Sequence, residues 1–130
     1  MVDKMGIVRT TIDVAPYHDH ERRRELGDVM VDTRSAYTWL PRRLLVELGV
    51  TPARTERFET ADGRLLERDI GFAMVYARGR ATATIVVFAG DDDRVLVGAI
   101  TLAGLNMRVD IARRQLVPSG PVPVAHAPAA

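Results

Sequence analysis

The stretch DVMVDTRSAYTWLP, residues 28 to 41, decides how this chain is read. Val29, Met30 and Val31 form an apolar strand, and Asp32 follows at once, at the head of the polar loop Thr33, Arg34 and Ser35. Buried-type residues return at Trp39 and Leu40. A carboxylate carried out of an apolar strand into a tight polar loop is how a catalytic aspartate is presented. The same placement also suits a turn aspartate that bonds its own backbone.

Working outward, strand signals dominate. β-branched residues alternate with polar ones over Ile7 to Val14 and again over Arg80 to Phe88. The stretch PYHDHERRRELG before the aspartate is highly charged and lacks periodic hydrophobes, so it reads as a solvated hairpin loop. Beyond the aspartate, Pro41 can open a short helix that Gly49 ends, with Leu44, Leu45 and Leu48 on one face. Asp62 and Gly63 then supply the strongest hairpin-turn dipeptide, flanked by strand-like residues. Gly79 turns a second hairpin, GDDDR at 90 to 94 is a polar loop, and the apolar run after it changes from strand to helix at Gly98.

In that order the pieces resemble the retropepsin-like aspartic proteases, whose active-site loop has two hydrophobic residues, then Asp, Thr or Ser, Gly and a small residue. Val31, Asp32, Thr33, Ser35 and Ala36 fit, while Arg34 stands at the glycine position. The resemblance spans about residues 6 to 118 and rests on the order of five elements. It implies an all-β, retropepsin-like acid-protease half-barrel with one or two short helices, active as a homodimer. Asp32 is then the catalytic residue. Because one chain supplies one such aspartate and the chemistry needs two facing carboxylates that share a proton, the second comes from an identical chain across a two-fold axis. The expected function is aspartic-type endopeptidase.

The resemblance also assigns supporting roles. Thr33 locks the two loops together across the axis, and Leu96, Val97 and Gly98 pack beside the catalytic loop. Arg34, Ser35 and Ala36 meet the substrate, and Ala61, Asp62 and Gly63 tip a flap that closes over it. Arg34 leaves two outcomes open. A guanidinium beside Asp32 favours the ionised carboxylate and opposes the shared proton. Turned outward, it can hold an acidic group by paired hydrogen bonds, which makes the chain a peptide- or carboxylate-binding pseudoprotease. Glycine could also be favoured there for its backbone freedom.

Composition bounds the alternatives. The 130 residues suit one domain, residues 1 to 118, with a Pro/Ala-rich disordered tail at 119 to 130. A net charge of +1 gives no overall reason to bind nucleic acid, and the basic triplet Arg22 to Arg24 is bracketed by Glu21 and Glu25 with no interleaved aromatics. No cysteine means no disulfides and no thiolate chemistry. His18, Asp19 and His20 fall short of a metal-ligand set, and the Asp91, Asp92 and Asp93 run lacks the spacing of a calcium loop, so neither metal nor cofactor is expected. The longest nearly apolar stretch, Val95 to Leu105, is too short for a bilayer that needs about 20 residues. The expected setting is cytoplasmic, without a membrane partner.

Overall fold

A computed structural model describes residues 7–127. The chain is all-β with two short helices: β1 (Val8–Pro16), β2 (Arg24–Val31), β3 (Thr38–Pro41), α1 (Arg42–Glu47), β4 (Arg54–Glu59), β5 (Leu65–Ala77), β6 (Arg80–Ala89), β7 (Leu96–Val97), α2 (Ala99–Leu105), β8 (Met107–Asp110) and β9 (Gln115–Pro118). Seven strands form one sheet in the order β1-β2-β7-β3-β6-β5-β4, and β8 and β9 pair separately.

The length of β5 lets this sheet curl on itself. Its C-terminal half pairs with β6 through Ile70↔Val87 to Ala77↔Arg80, and on its other edge residues 73–76 pair with β1, from Asp13↔Tyr76 to Pro16↔Ala73. The N-terminal part of β5 continues past this ring and pairs with β4, from Arg54↔Ile70 to Glu59↔Leu65, with residues 65–69 paired to β4 alone. The β4–β5 hairpin therefore projects from a closed body. Inside that body Ile12, Val14, Val31, Leu40, Val75, Val86 and Phe88 are buried. Val86 to Ala89 of β6 and Val29 to Val31 of β2 are buried without interruption, so these strand ends are covered on both faces.

Local chemistry fixes the turns. Arg78 and Gly79 both have positive φ, 54° and 79°, as a two-residue hairpin turn matched to strand twist requires. Leu45 and Leu48 of the α1 turn are 0% and 1% exposed, each burial contributing about 1.5–3 kcal/mol. The charged stretch before Asp32 is less of a loop than its composition suggests. Arg24 to Gly27 already belong to β2, where Glu25 and Leu26 pair with Asp13 and Ile12. Backbone pairing along an outward-facing strand tolerates charge, so the side chains alone hide it. Opposite Thr11 the register slips and Asp28 takes φ 56°, the mark of a bulge.

Among the described residues no helix is long and apolar enough to cross a membrane. Residues 119–127 form no helix or strand, although Ser119 N–H donates to Asn106 O at 2.9 Å and the Asn106 side chain donates to Gly120 O at 2.8 Å.

Candidate active site

The two residues of β7 hold both arms of the aspartate loop. β7 runs parallel to the end of β2, with Met30↔Leu96 and Val31↔Val97, and meets β3 antiparallel at Trp39↔Leu96. The chain leaves β2 at Asp32, rounds the loop and returns on the other side of Leu96. Asp32 N–H donates to Val97 O at 2.9 Å, and Ser35 N–H to Asp32 O at 3.2 Å.

The loop is pinned from behind by Gly98 and the start of α2. Ala99 N–H donates to Ser35 O at 2.8 Å and Ile100 N–H to Ala36 O at 3.0 Å. A Cβ on Gly98 would lie 2.3 Å from Tyr37 O and 2.8 Å from Ser35 O, so only glycine fits beneath this backbone. Gly98 N–H donates to the Thr38 hydroxyl at 3.0 Å. That hydroxyl bonds the Thr101 hydroxyl, which bonds Thr84 at 2.8 Å. All three threonines are buried, so each polar group has its partner inside the protein.

On the outer side of the loop sit Asp32 and Arg34. The Asp32 side chain is 15% exposed and that of Arg34 is 86% exposed. Arg34 Nε donates to Asp32 Oδ1 and Arg34 Nη2 to Asp32 Oδ2, each at 2.9 Å, a two-pronged charge-assisted pair. Arg34 backbone N–H also donates to Oδ1 at 3.0 Å, so the aspartate does bond its own loop as well. The side-chain bonds from Arg34 are the main reason that the Asp32 carboxyl is held below its ordinary 3.8; partial burial opposes them, and the Arg34 amide and charge and the more distant Arg94 add to the lowering. Arg34 is not among the residues with positive φ, so the loop does not demand glycine's backbone freedom there. The arginine acts on Asp32 chiefly through its side-chain hydrogen bonds.

The structure thus brings together Asp32, Thr33, Arg34, Ser35, Ala36, Leu96, Val97 and Gly98. Thr33 lies exposed at the loop's outer edge. Ala61, Asp62 and Gly63 are set apart at the exposed tip of the β4–β5 hairpin. Within that tip the Thr60 hydroxyl and Arg64 both bond Asp62, and Gly63 has φ 86°. Among the described residues no hydrogen bond or ion pair joins the tip to Asp32. The hairpin is tied to the loop instead through Phe58, near the tip end of β4, whose ring packs edge-on at 5.9 Å from Tyr37 and 5.0 Å from Trp39.

Further residues that the pattern of the sequence did not mark complete the surroundings. Arg68 on β5 forms a two-pronged pair with Asp93, at 2.6 and 2.9 Å, and Asp93 also accepts Gly90 N–H at 2.7 Å. This clamps the hairpin arm to the loop that precedes β7. A run of three aspartates does not reveal which of them turns inward. The threonine chain was equally hidden, since its members lie far apart in sequence. An open apolar hollow of about 560 Å³, lined by Tyr17, Val50, Phe72, Ile85 and Ile100 among others, includes none of residues 32–36.

No family model and no curated protein matches the sequence. Among solved structures, the protease of simian foamy virus (mac), known from a solution structure, is similar in fold with a TM-score of 0.50 at 15% identity. The match covers 73% of this chain and 91% of that one. The likeness establishes the fold, which is retropepsin-like.

Proposed function

We propose that this chain is one half of an aspartic-type endopeptidase, its active site completed by Asp32 from a second copy. The observation that carries this reading is the mounting of Asp32. Its carboxylate stands at the end of β2 in a loop fixed from behind by Gly98, Ala99 and Ile100, the arrangement that precise acid–base work needs. Across a two-fold axis, one Asp32 would take a proton from water while the other donates to the peptide carbonyl oxygen. Thr33, exposed at the edge of the loop, would meet its counterpart there, and the hairpin bearing Ala61, Asp62 and Gly63 would close over the bound polypeptide.

The Arg34 fork favours a second reading, a dimer that binds polypeptides without cutting them. A carboxylate occupied by a guanidinium has less tendency to share a proton with its counterpart. One experiment weighs both. Unstructured polypeptides are incubated with the wild-type chain and with Arg34→Gly from acid to neutral pH, and products are read by mass spectrometry. Cleavage that vanishes in Asp32→Asn supports the endopeptidase. Binding without cleavage by any variant supports the second reading.

A further inference from the structure

We propose that Arg34 is an exchangeable carboxylate clamp, so that an acidic group on a bound polypeptide takes over its guanidinium and thereby releases Asp32. This rests on the reading of the aspartate loop as the floor of a polypeptide-binding cleft, and it names the substrate class for that cleft.

The geometry leads there in two steps. Asp32 is largely buried while Arg34 is 86% exposed, so the guanidinium lies on the solvent side of the carboxylate it grips. Arg34 occupies a hydrogen-bonding position on both Asp32 oxygens, so a ligand that binds the carboxylate from that side must displace it. Among the described residues, Asp32 is also the only carboxylate paired with Arg34. Opening the fork without replacing its partner gives up the two charge-assisted hydrogen bonds, leaving the guanidinium in solvent and the less exposed Asp32 carboxylate without its counter-charge. A carboxylate from the ligand is an equivalent partner, because it accepts the same two parallel N–H bonds. Exchange therefore keeps one ion pair while a neutral ligand must break it. The backbone bond from Arg34 N–H to Oδ1 does not depend on the side chain, so Asp32 keeps its orientation after the guanidinium leaves.

Once released, Asp32 loses its main acidifying contact, and its carboxyl moves up toward the ordinary value. That favours retention of one proton between two such residues. Arg94, the other cation acting on Asp32, is the smallest of the causes that lower it. Recognition of an acidic residue beside the bond to be cut and readiness of the dyad thus become one event.

The test uses two short peptides with a reduced, uncleavable central bond, identical except for Glu or Gln next to that bond. Binding to the wild-type chain, Arg34→Gly, Arg34→Lys and Arg34→Gln is measured by calorimetry. The wild type should prefer the Glu peptide by about two- to fivefold, the worth of a solvent-exposed ion pair. That preference should vanish in Arg34→Gly and Arg34→Gln and survive in part in Arg34→Lys. In parallel, the carbon resonance of the Asp32 carboxyl is titrated with each peptide, and only the Glu peptide should raise its midpoint. Equal affinity for the two peptides, a preference that persists without Arg34, or an unmoved Asp32 midpoint would each overturn the clamp. The cleavable versions of the peptides keep the two readings separate. Binding with acidic preference but no cleavage by any variant removes the endopeptidase and leaves the clamp. Cleavage without acidic preference does the reverse.

Discussion

At the scale of single residues, the pairing of Asp32 with Arg34 makes the pH dependence of the site predictable. Arg34 depresses the Asp32 carboxyl, so in the proposed dyad the shared proton would be lost early as pH rises. Arg34→Gly removes that effect and raises the Asp32 carboxyl, so the proton is kept to higher pH. The limb of the kcat/KM profile on which activity is lost with rising pH should therefore move to higher pH in Arg34→Gly, with greater activity at its maximum. A profile identical to the wild type would show that Arg34 does not govern the dyad. Asp32→Asn should abolish cleavage in either background, because an amide can neither take nor share the proton. Far-ultraviolet circular dichroism should meanwhile report an unchanged fold, since Val97 bonds the backbone of residue 32 and not its side chain.

At the scale of elements, two supports carry the site. Gly98→Ala would push a methyl group against the backbone of Tyr37 and Ser35, and the loop cannot move without breaking its bonds to Ala99 and Ile100. The expected cost is about 1–3 kcal/mol or more, read by urea unfolding. The Arg68–Asp93 clamp is the second support. Arg68 is the chief reason that the Asp93 carboxyl is held below 3.8, so its stabilisation is fully present above that value and is lost as pH falls through the depressed one. Asp93→Asn should lower stability by about 1–3 kcal/mol near neutrality and by much less in strong acid. An equal deficit at both pH values would mean that the pair matters only by its shape. These supports also mark how far the sequence could be read. The aspartate loop, the Asp62–Gly63 turn and the strand-to-helix change at Gly98 were legible because each depends on a short local pattern. Arg24 to Gly27 looked like loop because strand pairing there is a backbone property, indifferent to the charged side chains. The Thr38, Thr84 and Thr101 chain and the grip of Arg68 on Asp93 were not legible, since only the closed sheet brings residues so distant in sequence together. The orientation of Arg34 lay between these cases: its neighbour was plain, but whether it turned to Asp32 or away from it was a matter of side-chain geometry.

At the scale of the whole molecule, the proposed dyad requires a second copy, and Arg34 changes the electrostatics of that association. A stable pair buries about 800 Å² per partner, roughly a tenth of the 8247 Å² surface of this chain. At the axis two Asp32 residues would face each other. In a site with glycine at position 34, two ionised carboxylates repel, and association depends on the proton they share. Here each Asp32 brings its own guanidinium, so the four groups sum to zero charge and assembly needs no proton. The wild-type chain should therefore sediment as a dimer at micromolar concentration with a dissociation constant nearly independent of pH between about 5 and 8. Arg34→Gly should dimerise comparably in acid and then weaken by up to about tenfold per pH unit as the shared proton is lost, the slope that uptake of one proton on association dictates. The comparison removes general effects of pH on the fold, because both chains carry the same remaining charges. A folded wild-type monomer at micromolar concentration would remove the dyad altogether. Parallel pH dependence in the two chains would place the two Asp32 residues too far apart to sense each other, and with them the second carboxylate that the mechanism needs.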